Sequence, residues 1–429
     1  MNPFRILDFG FRIWTFGVRR GARAFRVFRV ARSSRALAQA SRLRELSSRG
    51  VCDGVRYSSS TVSKVRFGGT PKPTLGTSVL PGFVCRVFFA TVFFLANIAC
   101  SHAADRVDEA LLRATQYLLQ QQDETGAISN KMRNETAMTS LSILALASVG
   151  HQAGDPSAEG AAMKRALAYV TGPDIQEKDG YFGQKDGSRM YGHGITTLML
   201  AEMLGMGLDA QQDEKIRDHC RKGLDLILRA QKVPKNEASR GGWRYTPDTS
   251  ESDMSVTVWQ TMALRAAKNA GLDVPKGAIE DAVKYIKRCY EPDASRNGEV
   301  KLGGFGYQGK GRELSTTAEG LLALQVCGEY ESEEVRSASD RLLKSGLTEN
   351  EKWLFYLTYY YAQGMYQRGG KHAEEGRKVV ADVLLPMQNR DGSWEGKGGE
   401  ERGGGKVYAT AMAVLSLAVK NHFLPIYQR

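Results

Sequence analysis

From residue 104 onward the apolar positions fall into two alternating kinds of run. The first kind is amphipathic and predicts helices at about 106–123, 159–171, 213–231, 277–290, 332–345 and 373–387. Apolar residues recur there at i, i+3 and i+4 with charges opposite, as in Val107, Leu111, Leu112, Thr115, Leu118 and Leu119. The second kind predicts helices at about 135–149, 192–206, 253–270, 315–328, 351–366 and 407–420. These are apolar nearly all round, as in Thr410–Ala418, and such helices are buried on most sides. Gly-aromatic loops join the two kinds at Gly126, Gly180, Gly242, Gly304 and Gly392; Trp353 marks a fifth hairpin without the glycine loop. A period of roughly 40–62 residues signals stacked helical pairs. An open solenoid has that period too, but here half-exposed helices surround buried ones. The pattern therefore predicts an all-α (α/α)6 toroid over 104–429. Closure also accounts for one architecture in a segment longer than the roughly 250–300 residues at which single cores stop growing.

Charge divides the chain. The net charge is +12, yet residues 1–100 hold 17 Lys and Arg against Asp8, Glu45 and Asp53, so the rest is close to neutral. That body has no electrostatic case for binding nucleic acid. Residues 1–81 form a basic leader, rich in Arg and Ser, without a helical apolar stripe. A disordered arm, an Arg-rich transit peptide and sequence translated upstream of the true start all fit it. The last is favoured, although no Met occurs between Met1 and Met132, so initiation would use another codon, for example at Leu75 or Val79. Arg19-Arg20 is not followed closely by an apolar run, against a twin-arginine signal. Residues 82–103 read as a signal peptide: Arg86, the apolar run Val87–Ala96, then Ser101-His102-Ala103 as a small-x-small cleavage site. The run is too short for the about 20 residues of a bilayer span. Cys100 weakly resembles a lipoprotein attachment site, with Asn97 departing from it. Export to the periplasm or cell envelope is the expectation, with membrane-surface association left open. Cys220, Cys289 and Cys327 form neither a disulfide framework nor a zinc pattern.

The loops carry a family resemblance. Arg113-Ala-x-x-Tyr117-Leu118-x-x-x-Gln122-x-x-x-Gly126 resembles the repeat of squalene–hopene cyclases and protein prenyltransferases, with Ile128 in place of its final Trp. Lys222-Gly223-x-x-Leu226-Ile227-x-x-x-Gln231 repeats the register and reaches Gly242-Trp243 after a longer loop. Leu384-x-x-x-Gln388-x-x-x-Gly392-x-Trp394 repeats it with Trp intact and Val383 in place of the aromatic. Arg165-Ala-x-x-Tyr169-Val170 and Ala282-x-x-Tyr285-Ile286 keep the first half. The resemblance covers about 104–429 and implies an α/α toroid with a central cavity, lined by the N-terminal halves of the inner helices. The loop residues themselves read as structural: Gly for tight turns, the aromatic packing across to the next hairpin.

The chemistry implied by the resemblance is incomplete. Where a cyclase places its Asp-x-Asp-Asp acid, this chain has Glu251-Ser-Asp253-Met-Ser255-Val-Thr257, a lone Asp without neighbours to assist it. The zinc and magnesium ligand sets of a prenyltransferase are missing, and adjacent residues in Asp218-His219-Cys220 point in different directions on an outer helix. Cys327-Gly328-Glu329-Tyr330 has Tyr where a thioester needs Gln. Gly304-x-Gly306-x-x-Gly309 follows no strand, and Gly405-Lys406 lacks the rest of a phosphate loop. No metal and no cofactor are expected.

A polar set remains at the starts of the inner helices: Tyr191, His193, Asp253, Ser255, Thr257, Gln260, Ser315, Thr316, Glu319, Tyr356, Tyr360, Tyr408 and Thr410. His193, flanked by Gly192 and Gly194, reads as a general base facing Asp253 across the cavity. The plain alternative is a hydrogen-bonded core histidine, with Ser and Thr as helix caps. Tyr191, Thr257, Gln260, Glu319, Tyr360 and Tyr408 are the candidate binding residues. The leading expectation is an exported toroid that binds an apolar small molecule, an isoprenoid among them, or a partner chain, without standard cyclase or prenyltransferase chemistry. The alternatives are a divergent squalene-cyclase-like isomerase or lyase, an α/α-toroid polysaccharide lyase or hydrolase, and a purely structural partner-binding protein. Oligomeric state is not legible from the sequence.

Overall fold

Amphipathic and apolar helices alternate as the periodicity predicts. The computed structural model describes residues 106–129, 133–293, 302–421 and 423–428, all within the unit Ala99–Arg429. The leader and signal-like segments lie outside the described residues. In chain order the helices are α1 (106–120), α2 (Glu135–Ser148), α3 (Ala158–Val170), α4 (Arg189–Glu202), α5 (Ala210–Gln231), α6 (Met254–Asn269) and α7 (Lys276–Arg288). There follow α8 (Leu314–Val326), α9 (Glu333–Ser345), α10 (Leu354–Arg368), α11 (Gly370–Leu384), the short α12 (Gly399–Gly403) and α13 (Gly405–Leu417). A two-stranded ribbon that the periodicity does not reveal pairs β1 (Tyr290–Glu291) with β2 (Gly304–Phe305), antiparallel.

Burial separates the two helix sets. Every residue of α2 except Glu135 is buried, whereas α7 buries one stripe of Ala278, Ile279, Ala282, Tyr285 and Ile286. The inner set closes on itself: α2 packs on α4, α4 on α6, α6 on α8, α8 on α10, α10 on α13, and α13 back on α2. The outer helices α5, α7 and α9 each pack on the inner helices before and after them, and α3 packs on α2. This is an (α/α)6 toroid.

The repeated glutamine is the clasp between hairpins. Gln122 Nε2 donates to Gly126 O at 3.0 Å in its own loop and to Ala162 O at 2.9 Å on the next outer helix. Gln231 does the same with Gly241 and Ala278, both at 2.9 Å. So does Gln176, with Gly180 at 2.9 Å and His219 at 3.0 Å, in a hairpin whose sequence keeps only half of the repeat. Gln388 closes the ring, donating to Gly392 O at 2.9 Å and to Ala110 O at 2.8 Å on α1. The third loop shifts by one residue from expectation. Gly241, not Gly242, has the left-handed backbone (φ 89°), and a Cβ there would lie 2.2 Å from Asp281 O. Gly242 takes the place of Ala127, and Gly304 likewise follows the loop's leading Gly303. The loop indole bonds to its own hairpin rather than the next: Trp243 Nε1 donates to Ile227 O at 2.8 Å, and Trp394 Nε1 to Leu384 O at 2.7 Å.

The two ends of the ring differ. At the C-terminal ends of the inner helices the chain's own tail enters. Ile426 N donates to Glu202 Oε2 at 3.1 Å, Gln367 Nε2 donates to Tyr427 O, and the Tyr427 hydroxyl meets that of Tyr359. Tyr359 in turn stacks on Trp259 at 5.6 Å between ring centroids. At the N-terminal ends of the inner helices the ring is open.

Candidate functional site

The open end is a cavity of about 780 Å3. Its floor is apolar, with Met138, Leu141, Ile195 and Trp259, and its wall and rim are polar and aromatic, with Asn134, Arg189, Tyr191, Tyr245, Tyr307, Glu319, Trp353, Tyr356 and Tyr408. Inner-helix N-termini point at this space, because every hairpin enters its inner helix from the same side.

Glu319 is the most unusual group in the wall. It is 1% exposed, on the second turn of α8. Its Oε1 accepts from the Ser255 hydroxyl of α6 at 3.2 Å, while Oε2 has no partner. Burial drives its carboxyl well above the ordinary range; the Ser255 hydrogen bond opposes this and the charge of Asp253 adds to it. The Tyr356 and Tyr360 rings stand beside it, 4.9 Å apart edge to face. An orphaned buried polar atom is rare, and beside a cavity it marks a place where a ligand or water supplies the missing bond.

Two tyrosines frame the rim. Tyr245 and Tyr307 share a 2.6 Å hydrogen bond between hydroxyls. Their loops are equivalent: Tyr245 O accepts from Met190 N at 3.1 Å, and Tyr307 O from Met254 N at 2.7 Å. Tyr191 lies 6.1 Å from the Tyr245 ring, and the Arg244 guanidinium stands 5.1 Å over it. Among the described residues, the two non-glycine positions with left-handed backbone are Asn134 (φ 70°) and Arg189 (φ 56°), and both line this rim. Such strain costs of order 1–3 kcal/mol per residue and concentrates at functional sites. Asp186 holds both helix starts: its Oδ2 accepts from Ala137 N at 3.2 Å and its Oδ1 from Ser188 N at 2.9 Å.

The structure does not bring the expected catalytic pair together. His193 points away from the cavity, into the layer between α4 and α5. Its Nδ1 accepts from Phe182 N at 3.4 Å and its Nε2 meets Gly223 O at 3.0 Å. Other hairpins use a threonine at this place: Thr139 takes Ile128 N at 2.9 Å, Thr257 takes Trp243 N at 3.0 Å, Thr317 takes Phe305 N at 3.1 Å and Thr410 takes Trp394 N at 3.0 Å. His193 is the second hairpin's version of that anchor, and burial pushes it down to about 4, so it is neutral. Asp253 caps α6 through Val256 N at 2.9 Å and stands 3.6 Å from Arg244 Nε. Burial pushes it up to about 6 against the pull of the Val256 N–H and Arg244.

Of the candidate binding residues, Tyr191, Glu319 and Tyr408 line the cavity. Thr257 anchors the loop instead. Gln260 Nε2 bonds to Met190 O at 2.7 Å, tying α6 to the start of α4. Tyr360 lies deeper, against Tyr356, Tyr359 and Trp259. Sequence reasoning missed Asn134, Arg189, Tyr245, Tyr307, Glu313 and Glu401. A signal for two of them existed: Trp243-x-Tyr245 and Phe305-x-Tyr307 are the same motif in equivalent loops.

No family model matches the chain, and no curated protein matches it. Solved structures do. An inactive variant of the α-1,6-mannanase GH76A of Salegentibacter sp. HEL1_6, in complex with α-1,6-mannotriose, is 9% identical with a TM-score of 0.52, over 74% of this chain and 99% of that one. A second inactive variant of the same mannanase, with α-1,6-mannotetrose, gives 9% and 0.51 over the same shares. At this identity the likeness is one of fold, and by fold the chain belongs with the all-helical α/α toroids.

Proposed function

We propose that this toroid is a polysaccharide hydrolase that binds glycan in the open cavity, with Glu319 as the acid. The observation that carries the reading is the unpartnered Oε2 of Glu319 in the wall of a cavity rimmed by tyrosines. Tyrosine and tryptophan offer flat faces with polar edges, which suit sugar rings better than a purely apolar lining would. Burial raises the Glu319 carboxyl well above the ordinary range and so favours its protonated form, the form a general acid needs to protonate a departing glycosidic oxygen. The same shift argues against a cyclase. Protonating an alkene calls for a carboxylic acid made stronger by its neighbours, and burial makes Glu319 weaker.

The solved neighbours suggest the first probes, α-1,6-linked manno-oligosaccharides, beside a panel of other polysaccharides. Release of reducing ends by the wild-type chain, lowered about 10²–10⁴-fold by Glu319→Gln, supports the reading. Release unaffected by that substitution contradicts it. A second reading, an apolar ligand held without chemistry, draws on the floor of Met138, Leu141, Ile195 and Trp259. A stoichiometric lipid in an organic extract, with no turnover on the panel, would favour it.

The Gln clasps and Gly-x-aromatic loops also support our inference of shared descent with squalene–hopene cyclases and protein prenyltransferases. We further infer export, from the run Val87–Ala96 and the site before Ala104.

A further inference from the structure

Three carboxylates line the cavity: Glu313, Glu319 and Glu401. Glu401 is occupied, since its oxygens accept from Leu354 N at 3.0 Å, Phe355 N at 2.8 Å and Tyr356 N at 3.3 Å and so cap α10. Glu319 carries the unpartnered, buried oxygen. Glu313 is the remaining one. It is the N-cap residue of α8 and makes no side-chain cap, as is also the case at the starts of α2, α4 and α10. Asp253, the N-cap of α6, does turn back onto its helix. The Glu313 side chain instead stays exposed at the rim, where its one hydrogen bond among the described residues is a weak one from Thr316 Oγ1 at 3.4 Å. Thr316 has a better acceptor in Phe305 O at 2.6 Å. Gly311 leaves room for this placement, because a Cβ there would come within 2.7 Å of Glu313 Oε2.

We infer that Glu313 is the second catalytic carboxylate, the base that activates a water opposite Glu319. This rests on the hydrolase reading above. Six residues separate the two positions, a rise of about 9 Å along the helix axis at about 1.5 Å per residue. That is the axial separation of the two backbone positions; a separation of the same order between the carboxyls would leave room for a water, as inverting glycosidases require, whereas a direct nucleophile sits at about 5 Å. In the step, Glu313 takes a proton from water while the water oxygen bonds to the anomeric carbon. The bond from that carbon to the glycosidic oxygen breaks, and the oxygen takes the Glu319 proton. Glu313 ends protonated and Glu319 ionised, and exchange with solvent restores both. The product sugar has inverted configuration.

The test compares Glu313→Gln and Glu319→Gln on oligosaccharides and on 2,4-dinitrophenyl glycosides, whose leaving group needs no acid. The expected result is that Glu313→Gln lowers kcat about 10²–10⁴-fold on both substrates with Tm unchanged. Glu319→Gln should be impaired mainly on oligosaccharides. Azide should restore Glu313→Gln turnover on the dinitrophenyl glycoside, giving a glycosyl azide of inverted configuration. If the wild type hydrolyses and depends on Glu319, but Glu313→Gln stays within threefold or the first product retains configuration, this inference is overturned and the hydrolase reading stands. If the wild type cleaves nothing on either panel, both fall.

Discussion

The Ser255 hydroxyl of α6 donates to Glu319 Oε1 of α8 at 3.2 Å, so a bond between two inner helices holds the cavity's buried acid by one oxygen and leaves the other, also buried, without a partner. That bond favours the ionised carboxylate and partly offsets the effect of burial. Ser255→Ala removes the offset and raises the Glu319 pKa further. An acid that must be protonated loses activity as pH rises through its pKa. The alkaline limb of the pH–rate profile should therefore move to higher pH in Ser255→Ala, and an unmoved limb would remove Glu319 from the role of acid.

His193 gives a prediction of the opposite kind. Since its place in other hairpins is taken by threonine, His193→Thr should keep Phe182 N bonded and leave activity nearly unchanged, at a modest cost in Tm for the lost ring and its bond to Gly223 O. His193→Ala leaves that buried N–H unpaired and should cost about 1–3 kcal/mol in denaturant unfolding without touching the chemistry. Loss of turnover in a stable His193→Thr would restore the histidine to catalysis.

The ring is closed by Gln388, 278 residues from its partner Ala110. Gln388→Ala abandons two main-chain carbonyls and should lower stability by about 1–3 kcal/mol. Amide exchange should show the effect centred on α1 and α11. Protection unchanged in α1 would mean that helix packing alone closes the toroid.

Glu202, under the tail, contributes to the pH dependence of stability. Burial pushes it up to about 8, with the Ile426 N–H pulling against this. A raised carboxyl in the folded state means its contribution is fully present below the unfolded pKa, and stability is lost as pH rises from there through about 8. The loss has a limiting slope of about 1.4 kcal/mol per pH unit. Glu202→Gln should therefore raise Tm relative to wild type increasingly between pH 5 and 8, by calorimetry. Parallel Tm curves across that range would contradict it.

Much of the fold was legible because its elements are local. Amphipathic and all-apolar runs are both periodic signals, and most helix ends fall within about three residues of the pattern, as at Ala158 and Gln231. The site was harder for a physical reason. An inner helix that is buried on all sides has no polar face to say which side meets the cavity, so His193 and Tyr191, two residues apart on α4, looked equally eligible. One anchors a loop behind the helix and the other lines the cavity. Left-handed Arg189 has no sequence signature at all. Glu313 was hidden for the converse reason: a glutamate before a helix reads as ordinary surface charge until its place at the cavity rim is seen.

The most direct measurement is reducing-end release from the polysaccharide panel by wild-type 104–429 and by Glu319→Gln, with Tm recorded for both. The hydrolase account predicts release by the wild type and its near-complete loss in a Glu319→Gln chain that melts no lower. Equal release by the two proteins, or none from either beside a stoichiometric bound lipid, would contradict it.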